Sequence, residues 1–133
     1  MLLQMVFEKL TKLALNLGRR PFPREHKCVE LLIGILKHSP KRASVYLPNR
    51  EVLMFVLELE ELNPSVAKSK REQDPSGVFP QLEYPWEDVE LGRVMSPATD
   101  LSILSRLRDP DDQTLIRTIK FAQYLLKELP NLV

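Results

Sequence analysis

The residues with the greatest chemical potential in this chain are His26, Cys28 and His38, the two histidines and the single cysteine of its 133 residues. His26 and Cys28 are two apart, and on a helix such positions do not face each other, so they neither share a metal ion nor align as base and nucleophile. One buried cysteine and two surface histidines account for the same residues. The acidic pairs Glu60/Glu61, Glu87/Asp88 and Asp111/Asp112 suggest general acids or Mg²⁺ ligands only until their geometry is considered. Adjacent side chains on a helix diverge by about 100°, and solvated faces or helix starts explain them equally well. The glycines Gly18, Gly34, Gly77 and Gly92 are scattered, so no phosphate-cradling loop is present. The pattern contains no catalytic set and no metal set, calls for no cofactor, and points away from an enzyme.

What the sequence does carry is charge asymmetry. Residues 1–50 contain ten Lys and Arg against three acids, a surplus of seven, while residues 51–133 contain nine against fifteen, a deficit of six. The overall charge of +1 therefore conceals a polarised chain. Arg19, Arg20, Arg24 and Lys27 cluster before or at the start of one predicted helix, and Lys37, Lys41, Arg42 and Arg50 lie at and beyond its end. Cations at both ends of a helix suit a phosphate backbone; a solvated basic face is the alternative. Aromatic residues do not interleave with them and no helix-turn-helix, zinc-finger or RNA-recognition pattern appears, so any contact would be sequence-independent.

The elements that must position these charges are helical. With 44% hydrophobic and 28% charged residues the composition is that of a globular protein, and the length suits one core burying roughly two-thirds of the unfolded surface. Leu3, Val6, Leu10, Leu13 and Leu17, flanked by Phe7 and Ala14, predict an amphipathic helix over 2–17 with Gly18 as its C-cap. A second, mostly buried helix is expected from about Pro23 to His38, and a third over 50–62 with Asn49 as N-cap. Asn63-Pro64 begins a short helical turn. Pro75, Gly77, Pro80 and Pro85 mark a long loop over about 72–85. Short helices are expected over 86–95 and from Pro97 to about Leu107. A last helix starts at Asp109-Pro110, with Asp111 and Asp112 in its first turn, and ends at Pro130. Its predicted apolar face is Leu115, Ile116, Ile119, Ala122, Leu126 and Leu129. The expected fold is all-α: one domain over 1–133, a bundle of about four main helices with short accessory helices and no sheet.

Nowhere are there eighteen consecutive apolar residues, and MLLQMVF has no basic region before it and is interrupted by Gln4, so neither a membrane span nor a signal peptide is expected. With one cysteine and no disulfide possible within the chain, a reducing cytoplasmic setting fits. The first helix is apolar and uncapped from its first turn. Leu2, Leu3, Val6 and Phe7 are therefore expected at an interface with a partner protein, with Trp86 either a further anchor or a pin holding its loop to the core.

A small helical chain that opens in mid-helix, carries a basic face opposite an acidic one and has no catalytic set resembles the small subunits of type I CRISPR effector complexes. The resemblance is one of architecture, not of motif. In some of these systems the small subunit arises from an internal start in the large-subunit gene, which would suit MLLQMVFEKL as an opening. The resemblance implies a non-catalytic subunit of an antiviral nucleoprotein complex, in one or more copies, that bridges other subunits and supports guide RNA or displaced DNA through backbone charge. The other reading is a protein-binding adaptor or regulatory module without nucleic acid, using the acidic helix face and the Trp86 segment.

Overall fold

The computed structural model describes residues 2–21, 28–41, 45–82 and 84–132, with only the backbone of Leu2. Arg24, Lys27 and Arg42, together with His26 and the expected start of the second helix near Pro23, lie outside the described residues. The elements in chain order are α1 (Leu2–Leu17), α2 (Val29–Lys37), α3 (Arg50–Glu61), α4 (Pro64–Gln73), β1 (Trp86–Asp88), β2 (Arg93–Met95), α5 (Pro97–Asp100), α6 (Ile103–Arg108) and α7 (Gln113–Leu132). The fold is all-α, built on α1, α2, α3 and α7.

Contacts between these four helices fix their directions. Phe7 of α1 stacks on Phe121 of α7, ring centroids 6.0 Å apart, and Leu132 at the end of α7 shares a surface pocket with Ala14 and Gly18 at the end of α1. The same pocket is lined by Ile35 and His38 from the end of α2. Helices α1, α2 and α7 therefore run the same way. Helix α3 runs against them, since Glu60 near its end meets Val29 at the start of α2. Phe7, Leu32, Leu36, Val52, Val56, Phe121, Leu125 and Leu129 fill the main core. A second cluster, Phe55, Leu59 and Ile103 with Leu82, Leu101 and Leu107 against it, packs α6 and the long loop onto α3.

Caps explain where several elements begin. Asn49 Oδ1 accepts from Val52 N at 3.0 Å and Asn63 Oδ1 from Ser65 N at 2.8 Å, so the expected turn after Asn63 becomes a ten-residue helix with Pro64 in its first turn. Asp112 is the cap of α7, accepting from Leu115 N at 2.9 Å, and so precedes the first turn in which it was expected. Pro130 lies within α7, which continues to Leu132. The end of α1 is a Schellman motif: Arg20 N donates to Leu15 O at 2.8 Å and Arg19 N to Asn16 O at 3.1 Å. The left-handed residue in that motif is Arg19, with φ 53°, and Gly18 occupies the position before it.

Two further expectations are corrected. Residues 86–95 form a β-hairpin, not a helix: Trp86 pairs with Met95, Glu87 with Val94 and Asp88 with Arg93. Its turn needs Gly92, which adopts φ 62°. The buried faces of α1 and α7 are also rotated from those expected. Thr11, Thr114 and Thr118 are buried, while Ile119 is 42% and Leu126 67% exposed. The hydroxyls cost little there, because Thr11 Oγ1 donates to Phe7 O at 2.8 Å and Thr118 Oγ1 to Thr114 O at 2.7 Å.

Candidate nucleic-acid interface

Of the eight cations expected to face nucleic acid, the five that are described are all exposed: Arg19, Arg20, Lys37, Lys41 and Arg50. Helix directions bring them to one end of the bundle. Arg19 and Arg20 follow the end of α1. Lys37 closes α2, and Lys41 follows it, its amide bonded to Ser39 Oγ at 3.1 Å. Arg50 opens α3, which starts where α2 ends. Arg20, His38, Ser39 and Pro40 line one pocket floored by Ala14, Ile35 and Leu132. Ser39 Oγ donates to the carbonyl of Leu132, joining the end of α2 to the end of α7. His38 Nδ1 lies 2.8 Å from Gly34 O, which can only accept, so that nitrogen carries the proton.

The cations have partly structural work there. Three helix C-termini converge at this end with their partial negative charges, which Arg19, Arg20, Lys37 and Lys41 offset. Arg50 does not fit that account, since it stands in the first turn of α3, where its own helix repels it. Glu51, beside it in that turn, is the acid that the dipole favours, so the α3 dipole does not account for Arg50.

The opposite end is acidic. Glu58, Glu60 and Glu61 close α3, Glu30 opens α2, and Asp109, Asp111 and Asp112 precede α7. Glu60 is buried, and its Oε2 accepts from Val29 N at 2.9 Å, supplying the cap that Cys28 does not. Glu61 pairs with Lys70 of α4. Cys28 is buried beside them, and burial, then Glu60 and Glu8, pushes its thiol pKa above the ordinary value. Asp112 pairs with Arg106 Nε at 3.1 Å, and the Arg106 guanidinium sits 4.9 Å above the Phe55 ring. The Leu115 amide, then Arg106, holds the Asp112 carboxyl below its ordinary range. Among the described residues no three His, Cys, Asp or Glu side chains gather into a metal-holding group.

Of the expected interface residues, Phe7 is 1% and Trp86 6% exposed. Both belong to the interior, so Trp86 pins the hairpin instead of anchoring a partner. Leu3 is half-buried against the core and Val6 is exposed. Other aliphatics are displayed to solvent too, Val89, Leu91 and Val94 together on the hairpin and Leu126 on α7 among them. Sequence reading also missed a pocket between α4 and the long loop, lined by Lys68, Arg71, Gln81 and Tyr84. No described helix is long and apolar enough to cross a membrane. No known protein family, no curated protein and no solved structure matches this chain.

Proposed function

We propose that the protein is a non-catalytic helical subunit of a larger cytoplasmic nucleoprotein assembly, of the kind found in CRISPR interference complexes, and that its basic end holds RNA or DNA by sequence-independent backbone contacts. The observation that carries this reading is the gathering of Arg19, Arg20, Lys37, Lys41 and Arg50, all exposed, at one end of the bundle, although 30 residues of sequence lie between Arg19 and Arg50. Arg24, Lys27 and Arg42 belong to the same proposal from their places in the sequence. A cationic end of this kind follows phosphates without reading bases.

The test compares wild type with the variant Arg20→Ala/Lys37→Ala/Lys41→Ala/Arg50→Ala on single-stranded and duplex ligands over a range of salt. Each cation withdrawn from a phosphate lowers the slope of log affinity against log salt by about 0.7–0.9, without altering preference among sequences. Identical slopes for the two proteins would remove the proposal. The adaptor reading has one observation in its favour, the exposed aliphatics Val89, Leu91 and Val94 on the hairpin, flanked by Glu87 and Glu90. A wild type that binds no nucleic acid at any salt would leave that reading in place.

A further inference from the structure

The pocket between α4 and the long loop has no place in the basic-end reading. Pro64, Ser65, Lys68 and Arg71 of α4 form one wall and Gln81 and Tyr84 the other, around about 500 Å³ of empty space, open solvent included. The loop wall is held in place. Leu82 N donates to Leu62 O at 2.9 Å, Leu82 packs against the second core cluster, and Trp86 is buried just beyond.

Three properties of the lining converge on one ligand chemistry. Lys68 and Arg71 stand one turn apart on the same face of α4, both exposed, a pair of cations suited to a phosphate. Tyr84 is 60% exposed, a ring presented to solvent where a planar base would stack. Gln81 is 5% exposed, and its Oε1 is buried without any hydrogen-bond partner. A buried acceptor left unmade is a standing cost, and a turn of the Gln81 amide into the pocket that it lines would bring that acceptor to a ligand's donor. The base amines of adenine, cytosine and guanine and the N3–H of uracil are such donors.

We infer that this pocket binds a nucleotide, its base on Tyr84, a base N–H toward Gln81 and its phosphate between Lys68 and Arg71. None of these residues belongs to the basic end, so the inference goes beyond the proposed function and does not depend on it. The nucleotide is either free or one unit of a single strand.

The experiment titrates the intact chain with AMP, with ribose 5-phosphate as a baseless control, and with short single-stranded oligoadenylate. It repeats this for Tyr84→Ala, Lys68→Ala/Arg71→Ala, Gln81→Leu and the basic-end variant, with circular dichroism confirming that each folds. Tyr84→Ala is expected to weaken binding roughly fivefold or more, and ribose 5-phosphate to bind more weakly than AMP by a similar factor. Lys68→Ala/Arg71→Ala lowers the salt slope for the strand by about 0.7 for each phosphate no longer held. Gln81→Leu removes the orphan acceptor, so it weakens binding while leaving stability equal or higher.

Binding of AMP and strand, both weakened at Tyr84, assigns the pocket to a nucleotide from either source. Binding of the strand alone, weakened at Tyr84, assigns it to a polynucleotide. A wild type that binds neither ligand, or pocket variants that bind as wild type does, would overturn the inference. In the latter case strand binding abolished in the basic-end variant would leave the proposed function standing; conversely, strand binding abolished in the pocket variants but unchanged in the basic-end variant would support the pocket and remove the proposed function.

Discussion

Glu60 of α3 caps α2: its Oε2 accepts the Val29 amide at 2.9 Å, where the preceding residue, Cys28, provides no side-chain cap. Glu60 opposes the dipole of its own helix but faces the positive end of α2, so one buried carboxylate joins two antiparallel helices. Removing it leaves a buried N–H unpaired. Glu60→Ala should destabilise by about 1.5–3 kcal/mol and Glu60→Gln, which keeps an acceptor, by less. Urea denaturation measures both; an alanine variant as stable as wild type would show that water takes over the cap.

At the end of α1 the left-handed position is held by Arg19, with φ 53°, not by the neighbouring Gly18. A side chain there costs about 1–2 kcal/mol, partly offset by the smaller unfolded-state entropy of arginine. Arg19→Gly should therefore be neutral or up to about 1 kcal/mol more stable, whereas the β-branched Arg19→Val should be destabilised by more than about 1 kcal/mol. Thermal melts of the pair give the sign directly, and a valine variant melting with wild type would refute the assignment.

Acid should loosen the α6–α7 junction. The Asp112 carboxyl lies below its ordinary pKa because the Leu115 amide and then Arg106 favour the charged form. Asp100 is lowered in the same direction by the Ser96 amide, then Thr99. A group depressed on folding contributes stability above its unfolded pKa, near 4, and loses it as pH falls through the folded value. Stability should thus be level above about pH 5 and decline below about pH 4. Asp112→Asn, which keeps an acceptor but cannot titrate, should show a shallower decline; an unchanged acid limb would remove Asp112 from the account.

The register of α7 is tested by two adjacent leucines. Leu125 is fully buried and Leu126 is exposed. Leu125→Ala should cost about 2–5 kcal/mol and Leu126→Ala about 0.5 kcal/mol or less. Equal costs would return the helix to the face that its leucines and isoleucines suggest.

That offset shows what the sequence could and could not reveal. The boundaries of α3 were legible because Asn49 caps it and Asn63-Pro64 breaks it, and the gaps between helices because proline and glycine punctuate them. The buried faces were harder. Thr11 and Thr118 read as polar surface, yet each gives its hydroxyl to the carbonyl one turn back and enters the core satisfied. The hairpin escaped notice because three-residue strands are too short to show alternation, and Gly92 was its only local sign. The basic residues were individually visible, but their meeting at one end depends on α1 and α2 pointing the same way, which no local pattern encodes. Gln81, one polar residue in a proline-rich loop, carried no signal at all until its unpaired oxygen was placed.

The pairing of α1 with α7 also sets the order of events in time. Phe7 has to wait for Phe121, so this central contact joins the two helices most distant in the sequence, a non-local contact of the kind that forms late. Roughly a hundred residues separate the end of α1 from most of α7, which at ribosomal speeds of about 5–20 residues per second is on the order of 5–20 s of synthesis. Throughout that interval Phe7, Leu10 and Ala14 have no α7 to cover them. Helices α2 and α3 cover part of α1 in the meantime, but the strip that faces α7 stays open until α7 is made, and it is in that window, more than in the finished fold, that a chaperone would find this protein.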